Sequence, residues 1–571
     1  MRRPSILRFL VHVHRELILI TIAILLVWVT ATSVPWNMDE FLPYHSLVCR
    51  EPAQQLNTFR ESCSEYATNL GPIHFYRSYG YVGVASSILY APFYSLTSSI
   101  WMHYFVGACA LVAIAWGLKT SFGFTFMMVP IAALFFPLLF TVLHDAGPVR
   151  IGLLVMAWSP VVVAKYFNST RFRYVWVLLL AIMWMVATED KPFFLFLIPG
   201  IAIFTLASLV KKGIPLKELL DWHKIFWIFG IPLAISIAFI SSMQTNGTSY
   251  LIFLSQQSPA LGLTSFVYSL FSAGIFTLNW PLYGHRVSTL VSIFGEEESG
   301  VRGALAAHTQ LFPSWYTQQG AVAFALVLVE IFAVTCLLLW VTKTRMGQRG
   351  DQASAGYKQS SMGKVSKVSE EIHTPKSQEP DKTFQMLVWA FTLLMLGTAF
   401  SGGWASHHFV YTSIPLLVTF AFTFEKWVHG SLLLGILLAT LSAISLATIS
   451  LIPVQANVSK EIEVVARMAL SQADESTIIN CSSWGCYYTY SFLNEREIPV
   501  VFATELEISE LTELAQSRND TVMHICSSCD QQLVQSLYPS GKIKHLPTGT
   551  KLWQVFQVTH KYCVRDMPRI K

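Results

Sequence analysis

Asp39 and Glu40 stand five residues beyond the first long apolar run of the chain, Leu17 to Val34. Adjacent carboxylates can take a proton from an attacking hydroxyl or hold a cation, and either use requires them to face a sheltered cavity rather than bulk water. Four more stretches carry groups of the same kind. His144 and Asp145 close the third apolar run in Leu143-His144-Asp145-Ala146-Gly147-Pro148, and Arg77 ends Ile73-His74-Phe75-Tyr76-Arg77 ahead of the second. Thr188-Glu189-Asp190-Lys191-Pro192 separates the fifth run from the sixth, and His407 and His408 sit in Trp404-Ala405-Ser406-His407-His408-Phe409-Val410-Tyr411, between the ninth and tenth. Each also has an ordinary reading. Asp145 beside Gly-Pro is a good turn former, and Arg77 at an interface can snorkel toward headgroups. Glu189, Asp190 and Lys191 can satisfy one another, and His407 and His408 can be interfacial polar residues.

The elements that must position these groups are membrane helices. Hydrophobic residues make up 53% of the chain and charged residues 13%, and the mean hydropathy is +0.48, which excludes an ordinary soluble globule. Apolar windows predict about eleven spans, near 17–34, 101–118, 122–143, 149–166, 174–188, 193–210, 226–243, 321–342, 384–400, 408–425 and 430–453. Arg2, Arg3, Arg8 and Arg15 place the N-terminus in the cytoplasm, and no convincing small-residue cleavage site ends the first run, so it is read as an anchor. Lys119, then Lys165, Arg171 and Arg173, then Lys211, Lys212, Lys217 and Lys224, then Lys343 and Arg345 fall on the same side. The net charge of +5 therefore reports topology, and nucleic-acid binding is not indicated.

Residues 35–100, 244–320 and 454–571 then lie outside. The apolar stretches Tyr79 to Leu96 and Leu261 to Trp280 are read as interfacial helices, because counting only one as a span would invert every later loop. Asn246, Asn457, Asn480 and Asn519 begin glycosylation acceptor patterns within the outer segments, as Asn168 does elsewhere, and point to a secretory-pathway membrane such as the endoplasmic reticulum; a bacterial inner membrane stays open. Cys49 and Cys63 form one candidate disulfide. Cys526 and Cys529 form another, with a zinc site completed by Cys481 and Cys486 as the lesser alternative. Residues 343–383, rich in Lys, Ser, Gln and Gly, read as a disordered cytoplasmic linker.

Within 454–571 the pattern becomes an alternation of strands (476–481, 498–503, 521–526, 551–559) and helices (461–472, 506–517, 529–538). It predicts a small extracytoplasmic α/β domain following a membrane domain over 1–453. No Gly-rich nucleotide fingerprint follows any of its strands.

An Asp-Glu loop after the first span, an aromatic-cation stretch before the second, an Asp capping the third and a Thr-acid-Lys turn after the fifth together resemble the GT-C glycosyltransferases. The layout is most similar to aminoarabinose lipid A transferases and protein O-mannosyltransferases over roughly residues 15–210. The resemblance implies a GT-C-like polytopic fold that transfers a sugar, with inversion, from a dolichyl- or undecaprenyl-type phosphate to a protein, glycan or lipid acceptor. Asp39 would be the base, with Glu40 beside it. Asp145 would orient the acceptor or share a divalent cation with Asp39. Arg77 takes the place of a phosphate-contacting cation, although Phe75-Tyr76-Arg77-Ser78 stands where the aminoarabinose enzymes have Glu-Lys-Pro. Lys191 and His408 are further phosphate or sugar contacts. A transporter or lipid flippase, or a non-catalytic subunit of the same fold, are the rival readings; no internal repeat favours the transporter.

Overall fold

A computed structural model describes residues 6–33, 44, 67–70, 73–76, 83–96, 100–124, 128–145, 148–169, 171–242, 244–245, 248–249, 379–400, 410–426, 440, 453–482, 484–493, 498–503, 507–527, 529–550 and 553–560. Asp39, Glu40, Arg77, His407, His408, Asn246, Cys49, Cys63, the expected linker up to residue 378, the stretch 261–280, the span at 321–342 and that at 430–453 apart from 440 and 453 lie outside the described residues. Residues 379–383, expected in the disordered linker, are instead the first turn of a helix.

The first helix, α1, is Ile6–Ser33. A two-stranded antiparallel hairpin, β1 (Ala67–Leu70) and β2 (Ile73–Tyr76), precedes α2 (Ala85–Leu96). With 12 residues, α2 is too short to cross a bilayer, which at 1.5 Å per residue takes about 20. The bundle continues with α3 (Ile100–Phe122), α4 (Met128–Leu134), α5 (Phe136–His144), α6 (Arg150–Asn168), α7 (Arg173–Asp190), α8 (Phe194–Lys211), α9 (Trp222–Ser242), α10 (Glu379–Phe400) and α11 (Val410–Lys426).

Four described helices, Trp101–Phe122, Arg150–Asn168, Phe194–Lys211 and Trp222–Ser242, are long and apolar enough to cross a membrane. The bundle also has the inside-out polarity of a membrane protein. Trp101, Phe105 and Trp116 of α3 and Val175, Leu178 and Ile182 of α7 are exposed, while Thr141, Ser159, Thr205 and Ser208 are buried. The chain is a multi-pass membrane protein.

The expected single span at 122–143 is two helices that meet at Phe135. Pro137 is the cause. It has no N–H to bond the Ala133 carbonyl and its ring crowds that oxygen, so the chain restarts with Pro137 in the first turn of α5, where a missing donor is harmless.

The C-terminal unit begins with α12 (Pro453–Gln472) and continues β3 (Thr477–Cys481), α13 (Trp484–Leu493), β4 (Val500–Val501), α14 (Ile508–Arg518), β5 (Thr521–Ser527), α15 (Gln531–Leu537), β6 (Gly541–Leu546) and β7 (Trp553–His560). The sheet order is β4-β3-β5-β7-β6. The first three strands are parallel, and β7 runs antiparallel to both β5 and β6. Side chains alternate between the two faces. Ile479, Cys481, Met523 and Ile525 share one apolar cluster with α12 and α13. Ile478, Val522 and Cys526 share another with Leu511 and Ala515 of α14 and Val534 of α15. The first cluster also includes Tyr44, Tyr90, Tyr104 and Leu143, so this face of the unit is packed against one end of the bundle.

Asn480 corrects a sequence expectation. It is fully buried, its Nδ2 donates to Tyr538 Oη at 3.0 Å and its Oδ1 accepts the Ala503 N–H at 3.0 Å, so a glycan there is incompatible with this fold.

Candidate functional site

At the end of the bundle beneath the C-terminal unit, α5 hands over to α6 through a buried exchange of charges. Asp145 follows the last turn of α5 in a left-handed conformation, φ 46° and ψ 43°, which Asp tolerates better than most residues. Its Oδ1 accepts the N–H groups of Val149 (3.0 Å) and Arg150 (3.2 Å), donors that have no partner at the start of a helix. Arg150 returns the favour at the other terminus. Its Nε donates to the Val142 carbonyl at 2.7 Å and its Nη2 to that of Leu143 at 2.7 Å, satisfying the last carbonyls of α5. Both side chains have 0% of their surface exposed, and Arg150 Nη1 stands 4.0 Å from Asp145 Oδ2. Gly107 on α3 makes room, since a Cβ there would lie 2.7 Å from Arg150 Nη2.

Three aromatic and imidazole groups close around this pair. Tyr90 of α2 donates its hydroxyl to Asp145 Oδ2 at 2.5 Å and carries the Arg150 guanidinium over its ring at 5.4 Å. His103 of α3 has its Nε2 3.2 Å from Arg150 Nη2 and 3.1 Å from the His144 carbonyl. Its Nδ1 is 2.8 Å from Tyr44 Oη, and the Tyr44 ring stacks on Tyr90 at 5.4 Å. The His144 ring stacks on Phe140 and meets the Tyr104 ring edge-on, so its place is among aromatics.

Glu189 and Asp190, at the end of α7, turn to the start of α2. Glu189 accepts the N–H of Val84 on both oxygens (3.0 and 3.1 Å) and that of Ala85 at 2.9 Å; Asp190 Oδ1 accepts the Ser86 N–H at 2.8 Å. Gly83 donates its N–H to the Asp190 carbonyl, and a Cβ on it would fall 1.8 Å from the Glu189 carbonyl oxygen. Two acids of a distant helix thus cap α2, the helix that brings Tyr90 to Asp145. Lys191 is buried, with Nζ 5.1 Å from the centre of the Phe193 ring. Tyr411, at the start of α11, meets Phe193 edge-on and directs its hydroxyl toward the Val149 carbonyl at 3.5 Å.

Asp145, His144, Glu189, Asp190 and Lys191 therefore occupy one end of the bundle. Lys119, Lys165 and Lys211 occupy the opposite end, in the last turns of α3, α6 and α8. Arg150, Tyr90, His103 and Tyr44 are the partners that sequence reading missed. The available signal was Arg150 itself, a cation five residues after an Asp within an otherwise apolar stretch. Arg150 Nη1 and Asp190 Oδ2, both at this end, have no hydrogen-bond partner among the described residues.

As for a divalent cation, both oxygens of Asp145 already accept hydrogen bonds, and among the described residues no three His, Cys, Asp or Glu side chains gather as ligands. Asn519 ends α14 in a left-handed conformation, φ 62°, and Asn457 lies in α12.

No family model matches the sequence, and no curated protein matches it. Among solved structures, the chain is similar to the crystal structure of ArnT from Cupriavidus metallidurans bound to undecaprenyl phosphate. The identity is 13%, covering 96% of this chain and 98% of that one, and the TM-score is 0.43. The apo structure of the same protein matches at 12% identity, the same coverages and a TM-score of 0.40.

Proposed function

We propose that this chain is a membrane glycosyltransferase that moves a sugar from a polyprenyl-phosphate donor to an acceptor hydroxyl or amine at the extracytoplasmic face. The observation that carries the reading is Tyr44. Its ring and hydroxyl pack into the Asp145–Arg150 cluster, and it follows Glu40 by four residues and Asp39 by five. A chain of that length reaches at most about 14–18 Å. The first outer loop is thereby tethered to the buried acid that sequence reading grouped with it.

The chemistry follows from that gathering. An acceptor must lose its proton as it attacks the anomeric carbon, and Asp39, with Glu40 beside it, is suited to take it. Asp145 is held rigid by Tyr90 and the start of α6, which suits a carboxylate that orients rather than one that exchanges protons. The departing lipid phosphate gains negative charge as the bond breaks, and Arg77, Lys191 and His408 are the cations assigned to it. Attack opposite the leaving group inverts the sugar. Asp190 Oδ2 and Arg150 Nη1, which have no hydrogen-bond partner among the described residues, support the same reading, because buried polar atoms left unpaired are costly and are suited to being completed by a ligand.

The test is transfer of radiolabel from undecaprenyl- and dolichyl-phosphate hexoses and aminopentoses to membrane fractions by purified protein. Asp39→Asn and Asp145→Asn should each lower turnover by about a hundredfold or more. Full activity in Asp39→Asn removes the base assignment. Passage of the intact lipid-linked sugar across vesicles, with no cleavage, favours the flippase reading instead.

A further inference from the structure

The C-terminal unit carries four described cysteines, and the sheet sorts them into two pairs. Cys526 and Cys529 are joined by a disulfide at the end of β5. Cys481 is the last residue of β3, next to β5 and in register with Ile525. Adjacent residues of a strand point to opposite faces, so Cys481 shares its face with Ile525 and lies on the other side of the sheet from Cys526. A single four-cysteine zinc site is thereby excluded, since its ligands would have to meet through the sheet.

Cys486 is the third residue of α13 and packs on the same face as Cys481, in the same apolar cluster with Tyr487 and Tyr490. Both sulfurs are fully buried, and the Cys481 side chain is hydrogen-bonded to that of Cys486. Burial pushes the Cys486 thiol up, so in the finished fold it is neither a good nucleophile nor a thiolate ligand. In the structure both are free thiols, and two adjacent buried sulfurs in a unit that already carries one bridge are placed to be joined.

We propose that Cys481 and Cys486 form a second disulfide, which ties the end of β3 to the first turn of α13 on the face of the sheet opposite the Cys526–Cys529 bridge. The reaction is thiol–disulfide exchange with a small-molecule or protein disulfide as oxidant. One thiolate attacks an oxidant sulfur and releases a thiol; the second cysteine then displaces the remaining oxidant half. The two cysteines lose two protons and two electrons, and the oxidant disulfide becomes two thiols. Because both sulfurs are inaccessible once α13 has docked, the bridge closes while the unit folds. The loop it encloses, Ser482-Ser483-Trp484-Gly485, leads off the carboxyl end of β3, and Ser482 N–H is fixed there by the Ile525 carbonyl at 2.8 Å.

Full-length protein from its native membrane is denatured in N-ethylmaleimide without reductant, digested with trypsin and weighed. Cleavage after Arg467, Arg496, Arg518 and Lys542 puts the two pairs on separate peptides, 468–496 and 519–542. Peptide 468–496 is expected unalkylated and two hydrogens lighter than its reduced form, gaining two alkyl groups only after reduction. Cys481→Ser should expose Cys486 to the reagent, and Cys486→Ser should expose Cys481. Alkylation of either cysteine in the unreduced wild-type protein overturns the assignment, whatever the state of 519–542.

Discussion

Two buried polar clusters of this molecule differ in charge and in completeness. In the sheet, Asn480, His524 and Tyr538 form a neutral set: the Asn480 amide bonds Tyr538 Oη and lies 3.2 Å from His524 Nδ1, and no side-chain atom of the three is orphaned. At the bundle end, Asp145 and Arg150 are ionic and fully buried, and neither Arg150 Nη1 nor Asp190 Oδ2 has a hydrogen-bond partner among the described residues. Leaving a buried charged atom unsatisfied costs at least about 1–3 kcal/mol. A cluster that serves packing can be closed, as the one in the sheet is. The open one is where the proposed function puts a ligand.

The largest expected effect tests that contrast directly. Arg150→Met removes the groups that satisfy the Val142 and Leu143 carbonyls and leaves Asp145 buried without its cation. Breaking such a pair from one side costs about 3–5 kcal/mol, seen as a lower midpoint of thermal unfolding in detergent. The double change Asp145→Asn with Arg150→Met should recover much of that stability, because no charge is left stranded, while glycosyl transfer stays lost. Recovery of both would make the ionic cluster as purely structural as the neutral one.

Acid should separate the clusters next. Burial pushes His524 down to about 4, against about 6.5 in an unfolded chain. Between those values the unfolded state binds the proton and the folded state does not, so stability is full above pH 6.5 and falls as pH drops toward 4. The loss approaches about 3 kcal/mol. Pulse proteolysis of residues 453–560 in urea at pH 7 and pH 4.5 reads it, and His524→Gln should flatten the difference.

The cap on α2 is of intermediate weight. Gly83→Ala forces a methyl group against the Glu189 carbonyl and should cost about 1–3 kcal/mol. Glu189→Ala deprives Val84 and Ala85 of their acceptor, worth about 1–2 kcal/mol, and Glu189→Gln should restore most of it. Hydrogen exchange at Val84, Ala85 and Ser86 reports the fraying. Transfer should fall with it, since Tyr90 is one turn further along the same helix.

Hydropathy and the alternation of basic loops were enough to place Asp145, Glu189, Asp190 and Lys191 at one end, because the bilayer imposes length and sidedness on sequence. Strands at 476–481 and 521–526 were legible for a similar reason, as short apolar runs bounded by polar turns. Helix α13 was not, since Trp484, Tyr487, Tyr488 and Tyr490 favour strands by local preference, and the helix is held by Tyr487 and Tyr490 packing in the cluster with Ile479 and Cys481 of β3. Edge strand β6 was missed because Lys542, Lys544 and His545 read as loop. Nor could the roles of Glu189 and Asp190 be read. Their partners are backbone N–H groups about a hundred residues away, with no side-chain identity to recognise.

Tyr411→Phe is the smallest change and the finest discriminator. The 3.5 Å approach of its hydroxyl to the Val149 carbonyl is at the limit of a hydrogen bond, and the ring contacts with Phe193 and Phe194 survive the substitution. Loss of one weak bond at nearly constant volume predicts a stability change of no more than about 0.5–1.5 kcal/mol. If the bundle-end cluster is open because a ligand fills it, this hydroxyl belongs to the ligand's surroundings. Transfer should then fall tenfold or more, while the unfolding midpoint moves only slightly. Unchanged transfer would instead place Tyr411 with the closed, purely structural groups and shrink the candidate site to the side facing α2 and α3.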